Sequence, residues 1–147
     1  MLRISIGCDH GGLEAKNIVV EKLKSQGYEV IDVGTYSLDS CHYPEFGIKV
    51  AELVANKSAD YGVVICTSGE GIAIAANKVK GVRCGIAYND EVARLMRQHN
   101  DANVISFGAK FMPVEDILRR IDIFLHTDFE GGRHQNRVQM IIDYENK

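Results

Sequence analysis

A thiol, a hydroxyl and three small turn formers meet in Cys66-Thr67-Ser68-Gly69-Glu70-Gly71, between an almost wholly apolar run and the small-residue segment Ile72 to Lys78. If the first flank is a strand and the second a helix, this turn offers backbone N–H donors at a helix N-terminus, where they can hold a phosphate or an oxyanion. A thiol so placed is favoured as thiolate, which makes Cys66 a candidate base or nucleophile; a small apolar residue closing a buried strand is the competing reading. A second turn, Gly7-Cys8-Asp9-His10-Gly11-Gly12, sets a carboxylate and an imidazole directly after a strand, with glycines that let the backbone approach a ligand. Asp9 reads equally as a helix N-cap and His10 as a surface residue.

Cations gather elsewhere. In Glu130-Gly131-Gly132-Arg133-His134-Gln135-Asn136-Arg137, the two arginines stand four apart at the start of an expected helix. Like charges at that spacing repel, and cations oppose the positive helix end, each by roughly a few tenths of a kcal/mol. A bound dianion would reverse both signs; arginines pointing into water are the bland alternative. Arg97-Gln98-His99-Asn100-Asp101 closes another helix, where a histidine is an ordinary dipole partner and an asparagine an ordinary left-handed cap. Lys110 adds a cation just beyond the fifth expected strand. Neither G-x-G-x-x-G nor a Walker A lysine is present, so dinucleotides and nucleoside triphosphates are not favoured. Cys8, Cys41, Cys66 and Cys84 form no C-x-x-C pair and the histidines no H-E-x-x-H, so no metal is expected. The turns together suit a small phosphorylated metabolite.

The elements that must position these turns follow from periodicity. Leu2 to Gly7, Tyr28 to Val33, Tyr61 to Cys66, Arg83 to Ala87 and Asn103 to Phe107 read as strands. Leu13 to Lys24, Pro44 to Asn56, Gly71 to Lys78, Asp90 to His99, Pro113 to Leu125 and a segment from about His134 read as helices. The unbroken apolar run at Tyr61 to Cys66 calls for burial on both faces. Five strands interleaved with helices predict an α/β fold, a three-layer αβα Rossmann-like sandwich around a five-stranded parallel sheet, with ligands at the carboxyl ends of the strands. The 147 residues suit one domain. With 17 basic against 20 acidic residues the net charge is −3, which gives no general pull toward nucleic acid or an anionic membrane. The opening residues, Met1 to Gly7, lack a signal peptide's apolar region, and the expected location is cytoplasmic, with reduced thiols.

Over nearly its whole length the chain resembles the ribose-5-phosphate isomerase B and galactose-6-phosphate isomerase subunit family. The resemblance rests on G-C-D-H-G-G at 7 to 12, E-V-I-D-V-G-T at 29 to 35, Tyr43-Pro44, I-A-A-N-K-V at 74 to 79, R-Q-H-N-D-A-N-V at 97 to 104 and E-G-G-R-H-Q-N-R-V at 130 to 138. It implies a cofactor-independent aldose–ketose isomerase acting on ribose 5-phosphate and ribulose 5-phosphate. It further implies a homodimer or homotetramer with shared active sites and a C-terminal helix, about 134 to 145, packed on the partner. In family terms Cys66 is the base between C2 and C1, His99 helps open the sugar ring, and Asp9 lies near the ring oxygen. Ser68 and the amides of Thr67, Gly69, Glu70 and Gly71 stabilise the enediolate. His10, Arg133 and Arg137 hold the phosphate, and Tyr43, Asn100 and Lys110 complete the pocket.

Four positions depart from the pattern: Thr67 replaces a glycine, Glu70 brings a carboxylate into the anion turn, His42 stands where the ribose enzymes commonly have aspartate, and Lys110 replaces an arginine. His42 raises the alternative of a six-carbon substrate, allose or galactose 6-phosphate. Thr67 and Glu70 raise that of a phosphosugar-binding protein without catalysis. Glu70 is expected to face solvent or contact a sugar hydroxyl.

Overall fold

Short apolar runs separated by helices satisfy their backbone groups by pairing with one another, and in the computed structural model, which describes residues 1–147, they do so in one sheet. Its strands are β1 (Arg3–Cys8), β2 (Glu29–Asp32), β3 (Tyr61–Cys66), β4 (Cys84–Ile86) and β5 (Val104–Gly108). The order is β2-β1-β3-β5-β4, with every neighbouring pair parallel. The helices are α1 (Leu13–Ser25), α2 (Tyr43–Ala55), α3 (Glu70–Asn77), α4 (Asp90–Gln98), α5 (Val114–Leu125) and α6 (Arg133–Glu145). No helix is long and apolar enough to cross a membrane.

Two apolar layers flank the sheet, as a doubly wound parallel sheet requires. On one face Val19 and Leu23 of α1, Met96 of α4 and Ile117, Ile121 and Phe124 of α5 pack on Ile4, Ile6, Val63, Ile65, Ile105 and Phe107. On the other, Val50 and Val54 of α2 and Ile72 and Ala76 of α3 pack on Val64, Val104 and Cys66. The alternation along β3 thus sends Cys66 toward α2 and α3.

Most element ends agree with the sequence to within one or two residues, and the differences have local causes. Gly27 adopts φ +90 just past α1, and the Tyr28 N–H returns to Leu23 O at 3.1 Å, so this glycine ends the helix as expected. After α4, however, the left-handed residue is Asp101 (φ 48) and not Asn100. Asp101 is held there by Arg97 Nη1 at 2.8 Å on its carboxylate and Arg83 Nη2 at 2.9 Å on its carbonyl, which leaves Asn100 exposed. Sequence periodicity missed a buried ion pair: Lys16 of α1 is 0% exposed, and its Nζ lies 2.7 and 2.8 Å from the two oxygens of Asp32. The same carboxylate accepts the Gly34 N–H at 2.9 Å, and Gly34 O accepts the Cys8 N–H at 2.8 Å. The end of β2 is thereby tied to the end of β1, beneath the first turn.

Helix α6 stands apart. Only His134 and Val138 are buried along it, while Met140, Ile141 and Tyr144 expose 71%, 54% and 75% of their surface.

Candidate active site

The chain leaves β1 toward β2 and later enters β3 on β1's other side, so the sheet has its topological switch between β1 and β3. The turns that follow those two strands meet there. Gly11 lies so close to Thr67 that a Cβ built on it would sit 2.3 Å from the threonine hydroxyl, and one on Gly12 would sit 2.8 Å from Ile65 O. Thr67 in place of glycine is therefore accommodated because Gly11 has no side chain. Tyr43, first residue of α2, closes the third side: its ring lies where a Cβ on Gly71 would be 2.7 Å away.

The turn after β3 is rigidly held. Buried Ser106 on β5 donates to Gly69 O at 2.7 Å, and the amides of Ala109 and Lys110 donate to Cys66 O and Thr67 O at 2.9 and 3.1 Å. Gly69 takes φ 83 with its α-carbon facing Phe107 and Gly108, where a Cβ would be 2.8 Å from the Phe107 carbonyl carbon. These constraints turn the Gly69 N–H onto Cys66 Sγ at 3.1 Å, an amide that stabilises negative charge on the sulfur. Cys66 is buried at 5% exposure. The Glu70 N–H caps onto Ser68 Oγ at 3.1 Å, while the amides of Thr67 and Ser68 donate to no group of the chain. The expected row of donors is thus divided: the Gly69 and Glu70 amides serve the turn itself, and those of Thr67 and Ser68 are left without a partner in the chain. Glu70 is exposed, as expected.

Asp9 accepts the Gly11 N–H at 2.9 Å and so caps the single 3-10 turn His10–Gly12; it is buried at this mouth. His10 Nδ1 accepts the Cys41 N–H at 3.3 Å, which leaves Nε2 to carry the proton of the neutral ring. Lys110 and Gly11 line a common groove of about 260 Å³. Asp9, His10, Tyr43, the turn Cys66 to Gly71 and Lys110 therefore share one mouth. The other thiols near the sheet are inert by comparison: burial pushes Cys8 up to about 12, only partly offset by Lys16, and burial likewise pushes Cys84 up to about 12.

His99, Arg133 and Arg137 do not line that mouth, while Asn100 reaches a groove of about 680 Å³ that Ser68 and Glu70 also line. Helix α4 leads from the carboxyl end of β4 back to the start of β5, and so runs against the strands. Cys66 is level with Gly108 and Gly62 with Val104, so about 13 Å of sheet separates Cys66 from the residue that opens β5. His99 and Asn100 precede even that residue, and Arg83 Nε, at the foot of β4, reaches Asn100 O at 3.1 Å. Helix α6 docks on this end: the Glu130 N–H donates to Gln98 O at 3.0 Å and the His134 ring stacks on His99 with centroids 4.2 Å apart. Arg133 and Arg137 are exposed, and α6 opens without an acidic residue in its first turn. Within one chain, therefore, Cys66 and His99 lie toward opposite ends of the sheet. The register accounts for His99: a helix that returns antiparallel to the strands places its C-terminus toward their amino ends.

His99, Glu130 and His134 bring their ligand atoms within 4.8 Å of one another. The two ring planes differ by only 14°, and an imidazole lone pair lies in its ring plane, so near-parallel stacked rings cannot both aim at one ion. The trio does not fit a metal centre.

Fold and site together define a doubly wound α/β protein that holds a turn with unpartnered backbone amides against a thiol. The chain belongs to the Ribose/Galactose Isomerase family, whose model matches residues 4–141. It is 42% identical over 147 residues to ribose-5-phosphate isomerase B of Escherichia coli K12, covering 100% of this chain and 99% of that protein. The structure of Clostridium thermocellum ribose-5-phosphate isomerase B superposes with a TM-score of 0.97 at 46% identity, covering 99% of this chain and 98% of that one. That of Mycoplasma genitalium ribose-5-phosphate isomerase B with bound ribulose-5-phosphate gives 0.96 at 41% identity, covering 99% and 97%.

Proposed function

We propose that this protein is a cofactor-independent aldose–ketose isomerase that interconverts D-ribose 5-phosphate and D-ribulose 5-phosphate through an enediolate. The observation that carries the reading is Cys66 at the switch-point mouth, with the Gly69 N–H directed onto its sulfur at 3.1 Å. In this reading the Cys66 thiolate takes the proton from C2 of the open-chain aldose and returns it to C1. No redox cofactor is required, because the hydrogen leaves and returns as a proton. The unpartnered amides of Thr67 and Ser68 and the Ser68 hydroxyl stabilise the enediolate oxygens; an aimed donor of this kind contributes roughly 2.7–4 kcal/mol. Ring opening precedes enolisation: His99 gives a proton to the ring oxygen, near Asp9, the C1–O4 bond breaks, and the anomeric hydroxyl passes its own proton to solvent as the C1 carbonyl forms. His10, Lys110, Arg133 and Arg137 hold the phosphate, and this remote anchoring orients C1 and C2 against the sulfur.

Such an assembly needs two copies, one supplying a half-site of Cys66 and its turn and the other a half-site of His99 and the arginines. The large apolar residues left exposed on α6, with Tyr88 and Phe111 beyond β4 and β5, favour a homo-oligomer that covers them. A six-carbon sugar phosphate is the second reading. It is favoured by His42, exposed beside Tyr43 at the mouth, and by a family description that spans ribose and galactose isomerases.

Turnover in deuterated water of ribose, allose and galactose phosphates decides between them. Ribose 5-phosphate is expected to yield ribulose 5-phosphate labelled at C1. Cys66→Ala should lose this by roughly 10²–10⁴-fold while phosphate affinity is kept. Undetectable ribose 5-phosphate turnover beside brisk hexose phosphate turnover establishes the second reading; near-normal turnover by Cys66→Ala moves the base elsewhere, with Glu70 the next candidate.

A further inference from the structure

Both imidazoles of the second half-site turn the same nitrogen toward one carboxylate oxygen. His134 Nε2 lies 3.5 Å from Glu130 Oε1 and His99 Nε2 lies 4.0 Å from that same atom. The carboxylate is set by backbone rather than by chance: the Glu130 N–H is bonded to the end of α4. Gly131 and Gly132, at φ 69 and 56, then reverse the chain, so that the His134 N–H reaches Gly131 O at 3.1 Å. Helix α6 thus returns His134 over both Glu130 and His99.

The two rings are not equivalent. His134 is 7% exposed. Burial, His99, Arg133 and Arg137 all lower its titration, and only Glu130 among its neighbours raises it, so His134 stays neutral at pH 7. Two charged rings at a 4.2 Å stacking distance would repel, and one neighbouring carboxylate compensates one charge. His99 is the more exposed of the two rings and the one a ligand can reach.

We propose that Glu130 is a positioning residue for His99: it draws Nε2 to itself while the stacked His134 fixes the ring plane, so that Nδ1 is the nitrogen presented to the sugar ring oxygen. This rests on the isomerase reading in one respect, that His99 opens the ring, and it assigns roles to Glu130 and His134 that the reading does not contain.

The two halves of the reaction separate the claim from a structural effect. Ribose 5-phosphate is a closed furanose and needs His99 before Cys66 can act. Ribulose 5-phosphate has its C5 oxygen esterified and stays open, so exchange of its C1 hydrogen with deuterated water needs Cys66 and the phosphate anchors but not His99. Glu130→Gln is expected to lower kcat on ribose 5-phosphate by about tenfold or more with little change in KM, to leave exchange into ribulose 5-phosphate within about twofold, and to be partly rescued by Glu130→Asp. Equal losses in both assays mean that the residue is only structural, and no loss in either means that His99 is positioned without it; each overturns the proposal. A wild-type protein without either activity overturns the isomerase reading itself, a failure visible before any variant is made.

Discussion

Cys66 owes its distinction to what is aimed at it, since Cys8 also ends a strand of the same sheet. At Cys8 burial outweighs Lys16 and the Thr35 amide and pushes the thiol up to about 12, whereas at Cys66 the turn at the mouth aims the Gly69 amide at the sulfur. That aim depends on Gly69 lacking a side chain, because it takes a left-handed φ against the backbone of Phe107 and Gly108. Gly69→Ala should cost about 1–3 kcal/mol, measurable by urea unfolding, and should reduce turnover more steeply than stability as the amide leaves the sulfur. A variant equal to wild type in both measurements would show that the turn has another way to close. At this scale the sequence was informative where chemistry sits beside glycine: Cys66, Asp9 and His10 could be placed from their position after strands. Ser106 could not. In V-I-S-F-G it looks like any serine within a strand, and its bond to Gly69 O exists only because β5 pairs with β3. Glu130 was equally silent, since its role depends on two glycines reversing the chain.

Among the elements, α4 decides where the second set of groups falls, and α5 fixes α4. Asp90 in the first turn of α4 receives Arg119 Nε at 2.8 Å and Arg120 Nε at 3.0 Å from α5. Those two hydrogen bonds, Arg119's first, hold its carboxyl at about 2, below the ordinary 3.8. The folded state therefore binds this proton less readily than the unfolded chain, and the clamp stabilises fully above 3.8 and is lost as pH falls through about 2. Because the group is exposed, the effect is modest. Asp90→Asn should lower Tm at pH 7 and match wild type near pH 2; a Tm difference independent of pH would refute the clamp. Helices and strands were legible because their periods are strong, with the ends least so: β2 and β4 are shorter than their apolar runs because each is a partly exposed sheet edge. The direction of α4 follows from parallel topology, yet its consequence for His99 emerges only when strand register is known.

For the whole molecule, the account depends on two incomplete half-sites completing one another between copies. An exposed face on α6 bearing Met140, Ile141 and Tyr144, and arginines with no acidic partner in the first turn, suit a helix that finishes its packing and its chemistry on a second chain. The family resemblance supplied shared active sites as an expectation; the antiparallel return of α4, which sets His99 far from Cys66 in one chain, is the physical feature that favours it. Subunit mixing tests this most directly. Cys66→Ala and His99→Asn proteins, each inactive, are unfolded together, refolded at equal concentration and assayed on ribose 5-phosphate. If the sites are shared in a dimer, half of the dimers are mixed and each regains one intact site, so about a quarter of wild-type activity should return. No recovery, with mixed dimers demonstrated by mass, would contradict the account.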